Sequence, residues 1–114
     1  KLKALAVTTA KPFPLLPGVV VRCRAVGMLR MDDESGGDAK ILAVPVNEIC
    51  PLFEHWQSIA DVPEMRLRQI QHFFEHYKDL EEGKWVKIIG WAGVDEAHAE
   101  ILGSVKRYEA ETHR

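Results

Sequence analysis

Three prolines close together near the start of the chain exclude a helix in that segment. Pro12, Pro14 and Pro17 lie within six residues, and proline both lacks a backbone N–H and clashes with the preceding helical turn. Gly18 and a run rich in β-branched residues, Val19–Val26, follow directly. This order predicts an extended or turn segment that leads into a β-strand.

The most polar segment of the chain predicts a turn between two strands. Residues 32–40 contain several acids and the consecutive glycines Gly36 and Gly37, a composition typical of turns. The apolar residues Ile41–Val46 come next and predict a second strand, with Pro45 indicating its end or an edge position.

The second half of the chain predicts helices with one strand between them. A short helix opened by Pro51 is expected within residues 47–59, and a longer helix begins with Asp61 as its cap and ends at Gly83. Lys84–Trp91 alternates as a strand does, and a last helix covers Val94–Glu109. Its predicted core residues are Ala97, Ile101, Leu102, Val105 and Tyr108. The fold class is therefore α+β, with a mainly antiparallel sheet or a small barrel.

Length and composition limit the class of protein. The chain has 114 residues, of which 46% are hydrophobic, and a formal net charge of −2, so we expect one domain over residues 1–114. Without a basic excess it is not expected to bind nucleic acid or an anionic membrane, and no apolar run reaches membrane-spanning length. Two cysteines, Cys23 and Cys50, are too few for a disulfide framework, which favours a reducing cytoplasm.

The acidic turn is the strongest chemical feature. It carries Asp33, Glu34 and Asp38, and Lys40 follows two residues after Asp38, so the last two side chains are expected on one face of a strand, about 7 Å apart. Mg²⁺ takes one or two carboxylates together with water and phosphate oxygens, and a lysine binds phosphate as a point charge. Two interpretations stay open, a metal–phosphate site and a solvated acidic turn.

His72 and His76 are spaced one helical turn apart. Such a pair can bind zinc, but Glu75 does not stand directly after His72 as it does in zinc proteases. A structural or interface role is favoured for both histidines.

Taken together, these segments resemble family I soluble inorganic pyrophosphatases of the bacterial type. The resemblance covers residues 12–108 and rests on the proline turn, on the acidic turn from Asp33 to Lys40, and on two later motifs, His72–Leu80 and Gly83–Lys87. It implies a small OB-like β-barrel with two flanking α-helices, Mg²⁺-dependent hydrolysis of pyrophosphate to phosphate, and homo-oligomers, usually hexamers.

The resemblance also assigns roles to individual residues. It implies that Asp33 and Asp38 are metal ligands, that Glu34 lines the site, and that the substrate phosphate is bound by Lys40, Tyr77 and Lys78. It places His72, His76 and Asp79 at a contact between subunits.

The chain departs from the family pattern at its start. The segment Asp-x-Asp-Pro-x-Asp, expected before the proline turn, is replaced by a divergent lead-in, Lys1–Lys11, that has no carboxylate. We therefore expect a partial, incomplete barrel whose open edge is covered by Ala4–Thr8 or by a neighbouring subunit, a weak or partial Mg²⁺ site, and impaired turnover. Two functions stay open: a pyrophosphate hydrolase, and a truncated non-catalytic domain that oligomerises or binds a ligand.

Overall fold

A computed structural model describes residues 3–6 and 16–112 and contains one four-stranded sheet. The spatial order is β1–β3–β2–β4, with β2 antiparallel to both β3 and β4 and with β1 parallel to β3. The strands are β1 (Lys3–Ala6), β2 (Cys23–Asp33), β3 (Gly36–Pro45) and β4 (Val86–Ala92). Within the described residues the sheet does not close, which confirms the partial barrel. β1 covers the edge of β3, as expected for Ala4–Ala6, whereas Val7 and Thr8 of the predicted segment lie outside the described residues.

Two α-helices flank this sheet, α1 (Glu64–His76) and α2 (Val94–Thr112). The short helix predicted within residues 47–59 is present as a 3-10 helix, Pro51–Phe53, which Pro51 opens as expected. A second 3-10 helix, Ile59–Asp61, lies between it and α1. Among the residues that the structure covers, no helix is long and apolar enough to cross a membrane.

The hairpin of β2 and β3 is tighter than the sequence predicts. Pro17 and Gly18 form the predicted turn, whereas the turn predicted at Pro12 and Pro14 lies outside the described residues. β2 then begins only at Cys23, and it continues to Asp33, so that only two residues separate it from β3. The Ser35 N–H donates to Asp33 Oδ1 at 2.8 Å, so this backbone N–H is hydrogen-bonded within the turn itself.

The sheet is buried on both faces. The α1 face carries the larger core, which includes Leu29, Met31, Leu42, Val44, Phe53, Trp56, Ile70 and Phe74. The α2 face carries a smaller one of Met28, Ile41 and Ala97, lined by the alanines Ala25, Ala39, Ala43 and Ala92. Because small side chains line this face, α2 can approach the sheet closely.

A β-bulge in β2 shapes the middle of the hairpin. The register shifts between Ala25 and Gly27, so that Gly27 pairs with Leu42. A Cβ atom at position 27 would overlap the side chain of Ile59 and come within 2.8 Å of the Ala92 carbonyl oxygen. Only glycine therefore fits at this point.

The bounds of α1 differ from the prediction at both ends. Asp61 does not cap α1; its Oδ2 accepts hydrogen bonds from the backbone N–H groups of Gln57 and Ser58, both at 3.0 Å, and so closes the 3-10 turn before the helix. The helix ends at His76 rather than at Gly83, because the Asp79 N–H bonds to the carbonyl three residues earlier, at 3.0 Å. Lys78 therefore lies in a turn and not on a helix.

The face that α2 buries was predicted only in part. Ala97 is buried and Ile101 is partly buried, but Leu102, Val105 and Tyr108 are 62%, 44% and 67% exposed. The stripe against the sheet continues instead through buried Ser104, because residues 97, 101 and 104 share one side of a helix.

Cys23 is exposed at the first position of β2. Partial burial raises the pKa of its thiol. Cys50 is buried, and both cysteines are free thiols.

Candidate acid–lysine site

The strand register brings the acidic turn and a lysine to one face of the sheet. Asp33 pairs with Gly36, Asp38 with Met31, and Lys40 with Leu29. Directly paired residues lie on the same face, so the side chains of Asp33, Asp38 and Lys40 share the α1 face. With Glu34 and Lys78 they form what we call the acid–lysine site.

Lys40 and Asp38 form a buried ion pair. Lys40 Nζ lies 2.9 Å from Asp38 Oδ2, and the two side chains are 8% and 10% exposed. The ammonium also lies 5.5 Å from the centre of the Phe74 ring, within the range of a cation–π interaction. The interpretation of these residues as a solvated turn is therefore wrong for Asp38, and also for Asp33, whose side chain is 6% exposed.

Lys78 reaches the site from the turn after α1. Its Nζ lies 3.1 Å from Asp33 Oδ2 and 3.3 Å from Glu34 Oε1. Burial lowers the pKa of the Lys78 ammonium, but the hydrogen bonds to Asp33 and Glu34 raise it by more, so the pKa lies above the ordinary lysine value. Lys78 is accordingly a cation throughout the physiological range.

Glu34 links the hairpin to the start of β4. Its Oε2 accepts a hydrogen bond from the Trp85 backbone N–H at 3.4 Å, while Oε1 faces Lys78. The pKa of Glu34 lies below its ordinary value, mainly because the carboxylate accepts a hydrogen bond from its own backbone N–H. Burial raises this pKa, but the further hydrogen bonds from Lys78 and Trp85 also lower it. Glu34 is therefore ionised at neutral pH.

The remaining predicted residues lie on the surface beside this site. Tyr77 is 39% exposed and stacks on Phe73, with ring centres 5.6 Å apart, and the Lys78 ammonium lies 5.6 Å from the Tyr77 ring. His72 and His76 have ring centres 4.4 Å apart, and His76 Nδ1 lies 2.8 Å from Asp79 Oδ2. These histidines and Asp79 are at least partly exposed, so a subunit contact stays a prediction for them.

Two residues of the site were missed in the sequence. Phe74 lies against Lys40, a contact between positions 34 residues apart that no local sequence pattern indicates. Trp85 contributes only its backbone N–H, which no side-chain pattern could reveal.

The arrangement can bind anions and cations. Lys40 is held against Asp38, and Lys78 is held against Asp33 and Glu34. Over residues 3–6 and 16–112, no group of three or more acidic, histidine or cysteine side chains is placed to enclose a metal. Asp33 and Asp38 on one face nevertheless fit the demand of Mg²⁺, which takes one or two carboxylates and completes its shell with water and phosphate oxygens.

Comparison with known proteins gives one consistent result. A family model described as inorganic pyrophosphatase matches residues 3–109. The inorganic pyrophosphatase of Ralstonia nicotianae is 54% identical over 103 residues, which are 90% of this chain and 59% of that protein. The one from Vibrio parahaemolyticus is 58% identical over 96 residues, 84% of this chain and 54% of that protein.

Solved structures agree with these matches. The inorganic pyrophosphatase of Helicobacter pylori superposes with a TM-score of 0.85 at 39% identity, over 93% of this chain and 61% of that one. The one from Coxiella burnetii gives 0.85 at 45% identity, with the same coverage. The chain thus spans somewhat more than half the length of the relatives that it matches.

Proposed function

The chain belongs to the inorganic pyrophosphatase family, and on that premise we propose that its acid–lysine site binds the phosphate groups of pyrophosphate with Mg²⁺ and hydrolyses the phosphoanhydride. The observation that carries this proposal is that buried Lys40 and partly buried Lys78 are each held against an aspartate of the hairpin. Such a pair presents fixed positive charge beside carboxylates that could bind a metal.

The reaction needs charge neutralisation more than covalent help. A water oxygen bonds to one phosphorus, the bond from that phosphorus to the bridging oxygen breaks with its electrons leaving on the second phosphate, and the proton of the water passes to solvent or phosphate. Catalysis of such a transfer consists mainly of positioning and electrostatic stabilisation. Mg²⁺ on Asp33 and Asp38 would neutralise phosphate oxygens and lower the pKa of the attacking water.

The lysines of this chain would bind the substrate. Lys78 is a cation whose ammonium contacts two carboxylates, and because an ammonium has three N–H donors, a phosphate oxygen could join them as a further acceptor. Lys40 is held more firmly, against Asp38 and Phe74, and would supply charge at a fixed place. The Tyr77 hydroxyl is proposed, from the family resemblance, as a further phosphate contact.

The test is phosphate release from pyrophosphate and Mg²⁺ by the purified chain and by Lys78→Gln. We expect Lys78→Gln to lose about a hundredfold or more in rate, the usual cost of one donor to a developing anion. The matched control is Lys84→Gln, because Lys84 also lies between α1 and β4 but pairs with Glu81, outside the site. This variant should keep the original rate.

Other results would contradict this proposal. Equal rates for Lys78→Gln and the unmodified chain would remove Lys78 from the site. Phosphate binding without turnover would overturn the hydrolase proposal and favour the non-catalytic binding domain.

We propose in addition that the chain forms a homo-oligomer through the end of α1. This surface is apolar and exposed, since Phe73 is 57% and Leu80 fully exposed, and it adjoins His72, His76 and Asp79. Sedimentation velocity at micromolar concentration should give a mass well above 12.9 kDa, and Phe73→Lys should shift it toward the monomer. Leu102→Lys, on α2, is the control that should leave the mass unchanged, and a monomeric unmodified chain would contradict the proposal.

A reducing cytoplasm is the proposed compartment, supported by the two free thiols Cys23 and Cys50. Cell fractionation that recovers the native protein elsewhere would overturn this assignment.

A further inference from the structure

A single carboxylate holds both ends of the segment that connects α1 to β4. This segment, residues 77–85, is called the 77–85 connection. Glu34 Oε1 lies 3.3 Å from Lys78 Nζ near its start, and Glu34 Oε2 accepts from the Trp85 N–H at 3.4 Å at its end. The contacts span 44 and 51 residues of sequence, so they fix the connection onto the hairpin rather than onto its own neighbours.

Beyond Tyr77 at its start, which packs on Phe73 and Phe74, apolar packing contributes little to the position of the connection. Leu80 is fully exposed and Trp85 is 52% exposed. Inside the connection, the Glu81 N–H donates to the Lys78 carbonyl at 3.0 Å and the Lys84 N–H to the Glu81 carbonyl at 3.3 Å. These local bonds shape its turns but do not orient them toward the site.

We infer that Glu34 is a positioning residue, which fixes the Lys78 ammonium beside Asp33 and so sets the geometry in which Lys78 meets phosphate. The inference rests on the proposed function of the acid–lysine site. It assigns Glu34 no contact with the substrate, because its two oxygens are directed to Lys78 and Trp85.

Electrostatic repulsion alone predicts the opposite effect on phosphate affinity when the charge of Glu34 is removed. A carboxylate near an anion site repels the anion, so removing its charge should strengthen phosphate binding. If Glu34 acts by positioning, the loss of its charge-assisted contact to Lys78 should weaken phosphate binding instead. A residue that only stabilised the fold would change the urea midpoint and leave the phosphate affinity of the folded chain unchanged.

The experiment measures phosphate affinity by calorimetry, and amide hydrogen exchange at Trp85, in Glu34→Gln and Glu34→Ala. Glutamine keeps the length and an acceptor for the Trp85 N–H, so Glu34→Gln should bind inorganic phosphate about tenfold more weakly with Trp85 exchange unchanged. Glu34→Ala should weaken phosphate binding at least as much and also accelerate exchange at Trp85. Glu82→Gln, the same change at an exposed residue of the connection, is the control and should alter neither quantity.

The outcomes separate the two claims. Phosphate binding by Glu34→Gln that equals or exceeds that of the unmodified chain overturns the positioning role and leaves the proposed function intact. An unmodified chain that binds no phosphate at all overturns the proposed function, and the positioning role with it.

Discussion

Replacement of Asp38 by alanine is expected to lower the free energy of unfolding by about 3–5 kcal/mol, the usual cost of leaving one partner of a buried ion pair uncompensated. Lys40 would lose a carboxylate 2.9 Å from its ammonium, at a place where both side chains are about nine-tenths buried. The Phe74 ring, at 5.5 Å, could replace only a small part of that interaction. Urea unfolding followed by circular dichroism measures the change.

A second substitution tests the cause. Adding Lys40→Met to Asp38→Ala should recover most of the lost stability, because an apolar pair of similar volume often replaces a buried ion pair without cost. Glu81→Ala, which breaks the exposed pair with Lys84, is the control and should cost about 1 kcal/mol or less. A double variant as unstable as Asp38→Ala would show that the buried charge of Lys40 is not the reason.

Replacement of Phe74 by alanine is expected to cost a similar amount, about 3–5 kcal/mol, because it opens a cavity in the larger core. Phe74 is 7% exposed, belongs to that core, and packs edge-on against Tyr77 with ring centres 5.4 Å apart. Phe74→Leu keeps most of the volume and should lose about 1.5 kcal/mol or less. Thermal and urea unfolding of the two variants give the comparison.

The matched control for Phe74 is another aromatic residue on a helix. Tyr108 is 67% exposed on α2, and Tyr108→Ala should change stability by about 0.5 kcal/mol or less. A loss for Tyr108→Ala as large as that for Phe74→Ala would contradict the assignment of Phe74 to the core. Equal losses for Phe74→Ala and Phe74→Leu would show instead that the aromatic ring, rather than filled volume, provides the stability.

The face of the sheet on which a strand residue lies could be predicted from the sequence, because side chains alternate regularly along a β-strand. Side chains two residues apart must share a face, so the spacing of Asp38 and Lys40 was enough to place them together. Glycines and acids between two apolar segments likewise predicted the hairpin, although they did not predict that only two residues separate its strands.

The sequence predictions were wrong or incomplete where the local sequence is compatible with more than one structure or where the contact is between distant residues. The apolar residues of α2 allow more than one stripe to face the sheet, and the sheet selects the one through Ser104 because its alanine-lined face admits small side chains. The end of α1 is set by hydrogen bonds in the turn at Asp79, not by Gly83. The Glu34–Trp85 contact joins positions 51 residues apart, and no periodicity connects positions so distant.

The alanine-lined face also limits the ways in which the hairpin can pair while it folds. If β3 slipped by one residue, every one of its side chains would change face, and the long cationic chain of Lys40 would enter the space between the sheet and α2. That space is bounded by Ala25 and Ala92 on the neighbouring strands and by fully buried Ala97 on the helix. A slipped register would therefore bring a charged side chain to a face lined by alanines and turn the apolar side chains of β3 out of the larger core. Packing on both faces of the sheet thus favours the alignment that brings the acidic residues together.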